Sequence, residues 1–176
     1  MNGIVYIYIV NRRITSLDEI VAEVPEGTTK ITCNNNGLLS LRGIERLPSV
    51  TTLYIRGNRF TSLEGLAGSN LTRLFIGGNH LTSLEGLAGS KVTDLDISCN
   101  HLTSLEGLAG SNVTTLNIYG NHLTSLEGLV GSNVTTLYIG GNPCSEQFEN
   151  EFRREVSRVK QYYEDLWNTP KDPGFD

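Results

Sequence analysis

Three histidines, His80, His101 and His122, recur in this chain at a constant interval, and two aspartates, Asp94 and Asp96, flank a single leucine. Each set is a candidate for chemistry. Recurring imidazoles suggest a metal, but Zn²⁺ or Cu²⁺ requires nitrogens that converge at about 2.0 to 2.1 Å. Side chains standing parallel on a ladder do not converge, and duplication alone accounts for three identical residues, so no metal site is expected. Asp94 and Asp96 lie on one face of a strand, and paired carboxylates can hydrolyse glycosides. That chemistry also needs a water-excluding pocket and a raised pKa, which an open sheet does not offer. Arg73, one interval before Asp94, points instead to a surface ion pair. The Gly77-Gly78 and Gly140-Gly141 pairs follow strands without opening helices, so they are not phosphate loops. The expectation is a protein that is not an enzyme and carries no cofactor.

The interval belongs to the whole chain. Leu53, Leu74, Leu95, Leu116 and Leu137 form one column, Ile55, Ile76, Ile97, Ile118 and Ile139 a second, and Asn58, Asn79, Asn100, Asn121 and Asn142 a third. The step between members is 21 residues, preceded by steps of 24 from Ile7 to Ile31 and 22 from Ile31 to Leu53. Leu53 and Ile55, separated by one residue, face the same side of a strand, and Tyr54 faces the other. Asn58 follows a turn and enters the interior, where its amide must bond backbone groups of its own coil and the next. The inward apolar side chains of one copy cannot offset the entropy of ordering that copy, so stacking is obligatory.

Written out, each copy reads V/L-x-x-L-x-I-x-x-N-x-L/F-x-x-L-x-x-L, which resembles the leucine-rich repeat family and its short class. The resemblance implies an α/β fold: a right-handed solenoid of about seven coils with a parallel concave β-sheet. On the convex side, Gly65 and Gly68 interrupt any helix, so short turns or 3-10 segments are expected there. A single domain should span 1–168. Its N-terminal cap coil, 1–24, has a capping box at Ser16-Leu-Asp-Glu19, and Leu17, Ile20, Val21 and Val24 make one face of a short helix stopped by Pro25. The repeats occupy 25–142. From Ser145 onward Phe148, Phe152, Val156, Val159, Tyr163 and Leu166 follow helical spacing, which predicts a C-terminal capping helix within 143–168 and an extended tail over 169–176. This segment is similar to the C-terminal caps of short-class members.

The chain has 176 residues and a net charge of −5, which makes direct nucleic-acid binding an unexpected role. Its three cysteines fall in different contexts: Cys33 in the inward Ile55 column, Cys99 in the Gly57 column and Cys144 where the repeats end. Free thiols in a reducing, cytoplasmic setting are expected. The apolar run from Ile4 to Val10 is too short and too poorly flanked for a signal peptide or membrane span, so Asn70-Leu-Thr, Asn112-Val-Thr and Asn133-Val-Thr are read as repeat copies rather than glycan acceptors.

Divergence among the copies locates function. Core columns hardly vary, nor does the exposed column Glu64, Glu85, Glu106 and Glu127. The outward strand positions do vary, giving a candidate partner surface of Tyr54, Arg56, Arg73, Phe75, Asp94, Asp96, Asn117, Tyr119 and Tyr138. Within it, Arg73 is expected to neutralise Asp94 and leave Asp96 free for a basic group on the partner. The resemblance implies a monomeric, non-catalytic scaffold that recognises a protein with its concave face. A purely structural or shell component, or a protein subunit of a nucleoprotein particle, is the alternative.

Overall fold

A computed structural model describes residues 5–129 and 131–145. Seven strands form one parallel sheet in sequence order: β1 (Val5–Tyr8), β2 (Thr28–Thr32), β3 (Thr52–Tyr54), β4 (Arg73–Phe75), β5 (Asp94–Asp96), β6 (Thr115–Asn117) and β7 (Thr136–Tyr138). The sequence interval sets the register. Leu53, Leu74, Leu95, Leu116 and Leu137 pair in succession, with Ile31 and Ile7 continuing the row. The extra residues of the longer first step lie in the connection between β1 and β2, and the pairing of these two strands is irregular between Val5 and Tyr6.

The leucine and isoleucine columns enter a single continuous core with Leu63, Leu84, Leu105 and their neighbours. Side chains such as Leu74, Ile76, Leu95 and Ile97 are completely buried. The chain between strands is short-turned, with 3-10 segments at Ile44–Arg46, Leu66–Gly68 and Glu127–Leu129. Single hydrogen-bonded turns take their place in the middle copies, Leu87 N to Leu84 O at 3.0 Å and Leu108 N to Leu105 O at 3.1 Å. No helix among the described residues is long and apolar enough to cross a membrane.

At the N-terminal end the single short helix expected around Leu17–Val24 is instead two successive 3-10 turns, Leu17–Glu19 and Val21–Glu23. Its capping box is present: the Ser16 hydroxyl accepts from Asp18 N at 3.1 Å, and the Glu19 carboxylate accepts from Thr15 N at 2.7 Å and Ser16 N at 3.0 Å. These amide donors hold the Glu19 carboxyl below its ordinary pKa. The expected C-terminal helix and tail lie outside the described residues.

The asparagine column is buried and fully bonded, with one correction to its direction. Each amide serves its own coil and the preceding one, not the next. Asn79 Nδ2 donates to Ile76 O at 2.9 Å and to Ile55 O at 3.1 Å, while its Oδ1 accepts from Phe60 N at 3.1 Å. Asn100, Asn121 and Asn142 repeat this pattern. Just ahead of the strands, a threonine ladder adds bonds between coils, as when Thr93 Oγ1 donates to Thr72 O at 3.3 Å. The three sequon asparagines form another, with Asn70, Asn112 and Asn133 donating to Pro48 O, Ser90 O and Ser111 O at 2.9, 2.7 and 2.7 Å.

Candidate binding surface

The pleat leaves two rows of side chains on the outward sheet face. Tyr6, Lys30, Thr52, Arg73, Asp94, Thr115 and Thr136 make one, and Tyr8, Thr32, Tyr54, Phe75, Asp96, Asn117 and Tyr138 the other. A third row, just past the strands, carries Arg56, Gly77, Ser98, Tyr119 and Gly140. Of the predicted surface, Tyr54 and Phe75 stack face to face with ring centroids 4.3 Å apart and planes within 4°. Lys30 joins them from β2, its Nζ lying 4.6 Å from the Tyr54 ring centroid and 4.9 Å from that of Tyr6. Cation–π attraction holds the ammonium between the two rings.

Lys30, Tyr6 and Tyr8 were not among the predicted residues, because β1 and β2 belong to degenerate copies that the regular columns do not include. Their signal was present nonetheless as alternation: Tyr6 and Tyr8 point away from the row of Ile7 and Ile9. Tyr6, Tyr8 and Tyr119 remain 49, 56 and 49% exposed.

Asp96 does not have the role expected of it. It is 5% exposed and forms a salt bridge with Arg56, and its Oδ1 also accepts from Ser98 N at 3.0 Å. The guanidinium crosses from the turn after β3 to the end of β5, passing the intervening coil at Gly77. A Cβ built on Gly77 would meet Ser98 Oγ at 2.8 Å and stand 3.6 Å from Arg56 Nε. The Tyr119 ring likewise lies against Gly140, where a Cβ would be 3.1 Å from the ring. Part of the variation in the third row is therefore coupled packing, a long side chain followed by a glycine.

Tyr138, also expected on this surface, is buried at 7% exposure although its row faces outward. Arg73 does not neutralise Asp94 by contact. The two are register neighbours but no ion pair joins them among the described residues. Burial raises the Asp94 pKa, the nearby Arg73 charge opposes this, and Asp96 adds to the rise. Asn117 is partly buried, and its Oδ1 accepts from Tyr119 N at 3.1 Å.

The histidines stack as a ladder off this face. Ring centroids are 5.7 Å apart for His80 and His101 and 5.6 Å for His101 and His122, with planes within 6° and 15°. Near-parallel rings direct their in-plane lone pairs side by side rather than at one point. No group of three or more His, Cys, Asp or Glu that could hold a metal occurs among the described residues.

The cysteines are free, with Cys33 and Cys144 buried and Cys99 exposed. Burial pushes the Cys33 thiol up to about 12 and raises that of Cys144 as well. Since the thiolate is the reactive form, Ellman's reagent at mildly alkaline pH should modify Cys99 alone in the folded protein and all the thiols in denaturant. Modification of native Cys33 at the rate of Cys99 would contradict the packing described here.

A scan of the chain against protein-family models finds no match, and a search of curated proteins finds no significant one.

Proposed function

We propose that the protein is a non-catalytic scaffold that recognises a protein partner with its outward sheet face, the concave face of a right-handed leucine-rich repeat solenoid. The observation that carries this reading is the distribution of exposed apolar surface. Among the described residues, large hydrophobic side chains that remain exposed are Tyr6, Tyr8, Leu39 and Tyr119, and the three tyrosines belong to this one face. A soluble chain that buries its other apolar columns so completely has no folding reason to leave three tyrosines on a single surface. Tyrosine also suits recognition, because it offers large area, few rotors and a polar tip. A monomer in a reducing, cytoplasmic setting accords with the free thiols and with a core that runs through the stack.

The test is affinity capture from the source cells, followed by binding measurements on single variants against the captured protein. Phe75→Ala and Tyr119→Ala should each weaken binding by more than about 1 kcal/mol at a hot spot, with circular dichroism unchanged. Glu85→Ala and Glu106→Ala, on the opposite side of the coil, serve as controls. Normal binding by the sheet-face variants with loss in the controls would assign recognition to the other side.

A further inference from the structure

Charge is unevenly distributed along the proposed binding face. The outward positions of β1 to β4 are Tyr6, Tyr8, Lys30, Thr32, Thr52, Tyr54, Arg73 and Phe75, with no carboxylate among them. Acidic residues enter this face only at β5, and Asp96 there is already occupied by Arg56. Lys30 and Arg73 make no ion pair among the described residues, although the whole chain carries a net charge of −5. The Lys30 ammonium rests on aromatic rings, which attract a cation without satisfying its N–H donors. Lys30 thus rests on the rings and Arg73 stands in the same outward row with Asp94 as its register neighbour, neither cation ion-paired among the described residues, while Glu64, Glu85, Glu106 and Glu127 are exposed elsewhere on the coil.

We propose that the β1–β4 half of this face takes an extended acidic segment of the protein partner, its carboxylates meeting Lys30 and Arg73. This rests on the sheet face being the recognition surface and adds the chemistry of what it recognises. Lys30 and Arg73 occupy one row two strands apart, which is about 9.6 Å at the usual strand spacing. A polyproline II segment brings every third side chain to one face about 9.3 Å apart, so carboxylates at i and i+3 match the two cations. The chain's net charge of −5 opposes an acidic segment in general, so the cations of this half are where it would be steered.

A single-stranded nucleic acid is the other polyanion with extended geometry, and the ring arrangement disfavours it. Bases bind by stacking on open aromatic faces. Here Tyr54 and Phe75 each cover one face of the other, and Lys30 lies over the Tyr54 and Tyr6 rings. Exposed Tyr8 is the ring left for a base to stack on, whereas the donors of Lys30 and Arg73, unpaired among the described residues, suit carboxylates.

The experiment is fluorescence anisotropy with labelled peptides of Glu-Pro-Pro repeats, the matching Gln-Pro-Pro repeats and an oligothymidylate, at low and physiological salt. The acidic peptide should bind the intact chain about tenfold more tightly than its neutral counterpart, with the preference shrinking as salt rises. Lys30→Gln and Arg73→Gln should each reduce that preference several-fold. Lys91→Gln should leave it unchanged, since Lys91 donates to Asn70 away from this face. Thermal unfolding of each variant checks that the fold is intact. Equal binding of the two peptides, no binding of the acidic one, or insensitivity to both substitutions overturns the acidic assignment. Tighter binding of the oligothymidylate with loss in the same variants overturns it in favour of nucleic acid. If the acidic assignment falls while Phe75→Ala still weakens the captured partner, the recognition face stands. If that substitution also has no effect, both readings fall.

Discussion

Asn100→Ala should lower the unfolding free energy by about 1 to 3 kcal/mol, because it leaves Leu81 N buried without its acceptor and takes one of two amide donors from each of Ile76 O and Ile97 O, which keep Asn79 and Asn121. Asn100 Nδ2 donates to Ile97 O at 3.0 Å and Ile76 O at 3.2 Å, and its Oδ1 accepts from Leu81 N at 2.9 Å. The side chain is 2% exposed, so water does not replace these bonds without opening the turn. Asn100→Asp tests the same point from another direction. It preserves shape but replaces the donor with an oxygen facing two carbonyls, so it should be at least as damaging as alanine. His101→Ala, one residue on and exposed, should remain within about 0.5 kcal/mol of wild type. Urea unfolding of the three variants decides the matter. Equal midpoints for Asn100→Ala and wild type would mean that the asparagine ladder does not join the coils.

Gly86→Ala should be the more severe of the two, by about 3 to 4 kcal/mol. Gly86 has φ +91°, and a Cβ there would lie 2.6 Å from both the carbonyl carbon and oxygen of Leu63 and 2.9 Å from Glu64 N. Those atoms are backbone of the preceding coil and cannot rotate away, so the coils must separate locally. Left-handed strain accounts for about 1 to 2 kcal/mol and the overpacking for a further 1 to 3. Two other glycines separate these contributions. Gly110, at φ +76° with nothing within 4 Å, should show the strain alone. Gly68, without a left-handed φ and with open space at its Cβ position, should be neutral to stabilising by up to about 1 kcal/mol when changed to alanine. The expected order is therefore Gly86 far worse than Gly110, and Gly110 worse than Gly68. A Gly86 variant no worse than the Gly110 variant would show that the coils can part at little cost.

Much of this architecture is written in one-dimensional spacing. A step of 21 residues with Leu, Ile and Asn at fixed offsets fixes which side chains face inward, and seven parallel strands in sequence order follow from stacking copies that cannot fold singly. The burial of the asparagines was legible for the same reason, since each position repeats and one argument serves all five. Their bonds to the preceding coil were not legible, because a period states that coils touch but not from which side a turn reaches its neighbour. The N-terminal turns had the right capping residues, yet helical spacing over so few positions does not separate an α-turn from two 3-10 turns.

The candidate surface divides along the same line. That Tyr54 and Phe75 share a face with Asp96 follows from strand alternation alone. That Arg56 reaches past Gly77 to occupy Asp96, that Lys30 settles between Tyr6 and Tyr54, and that Tyr138 is buried were decided only by the tertiary structure. Alternation assigns a side chain to a face and goes no further. How far a long side chain travels sideways depends on whether its neighbour leaves room and what charge or ring it meets, and those are properties of adjacent coils rather than of any one repeat.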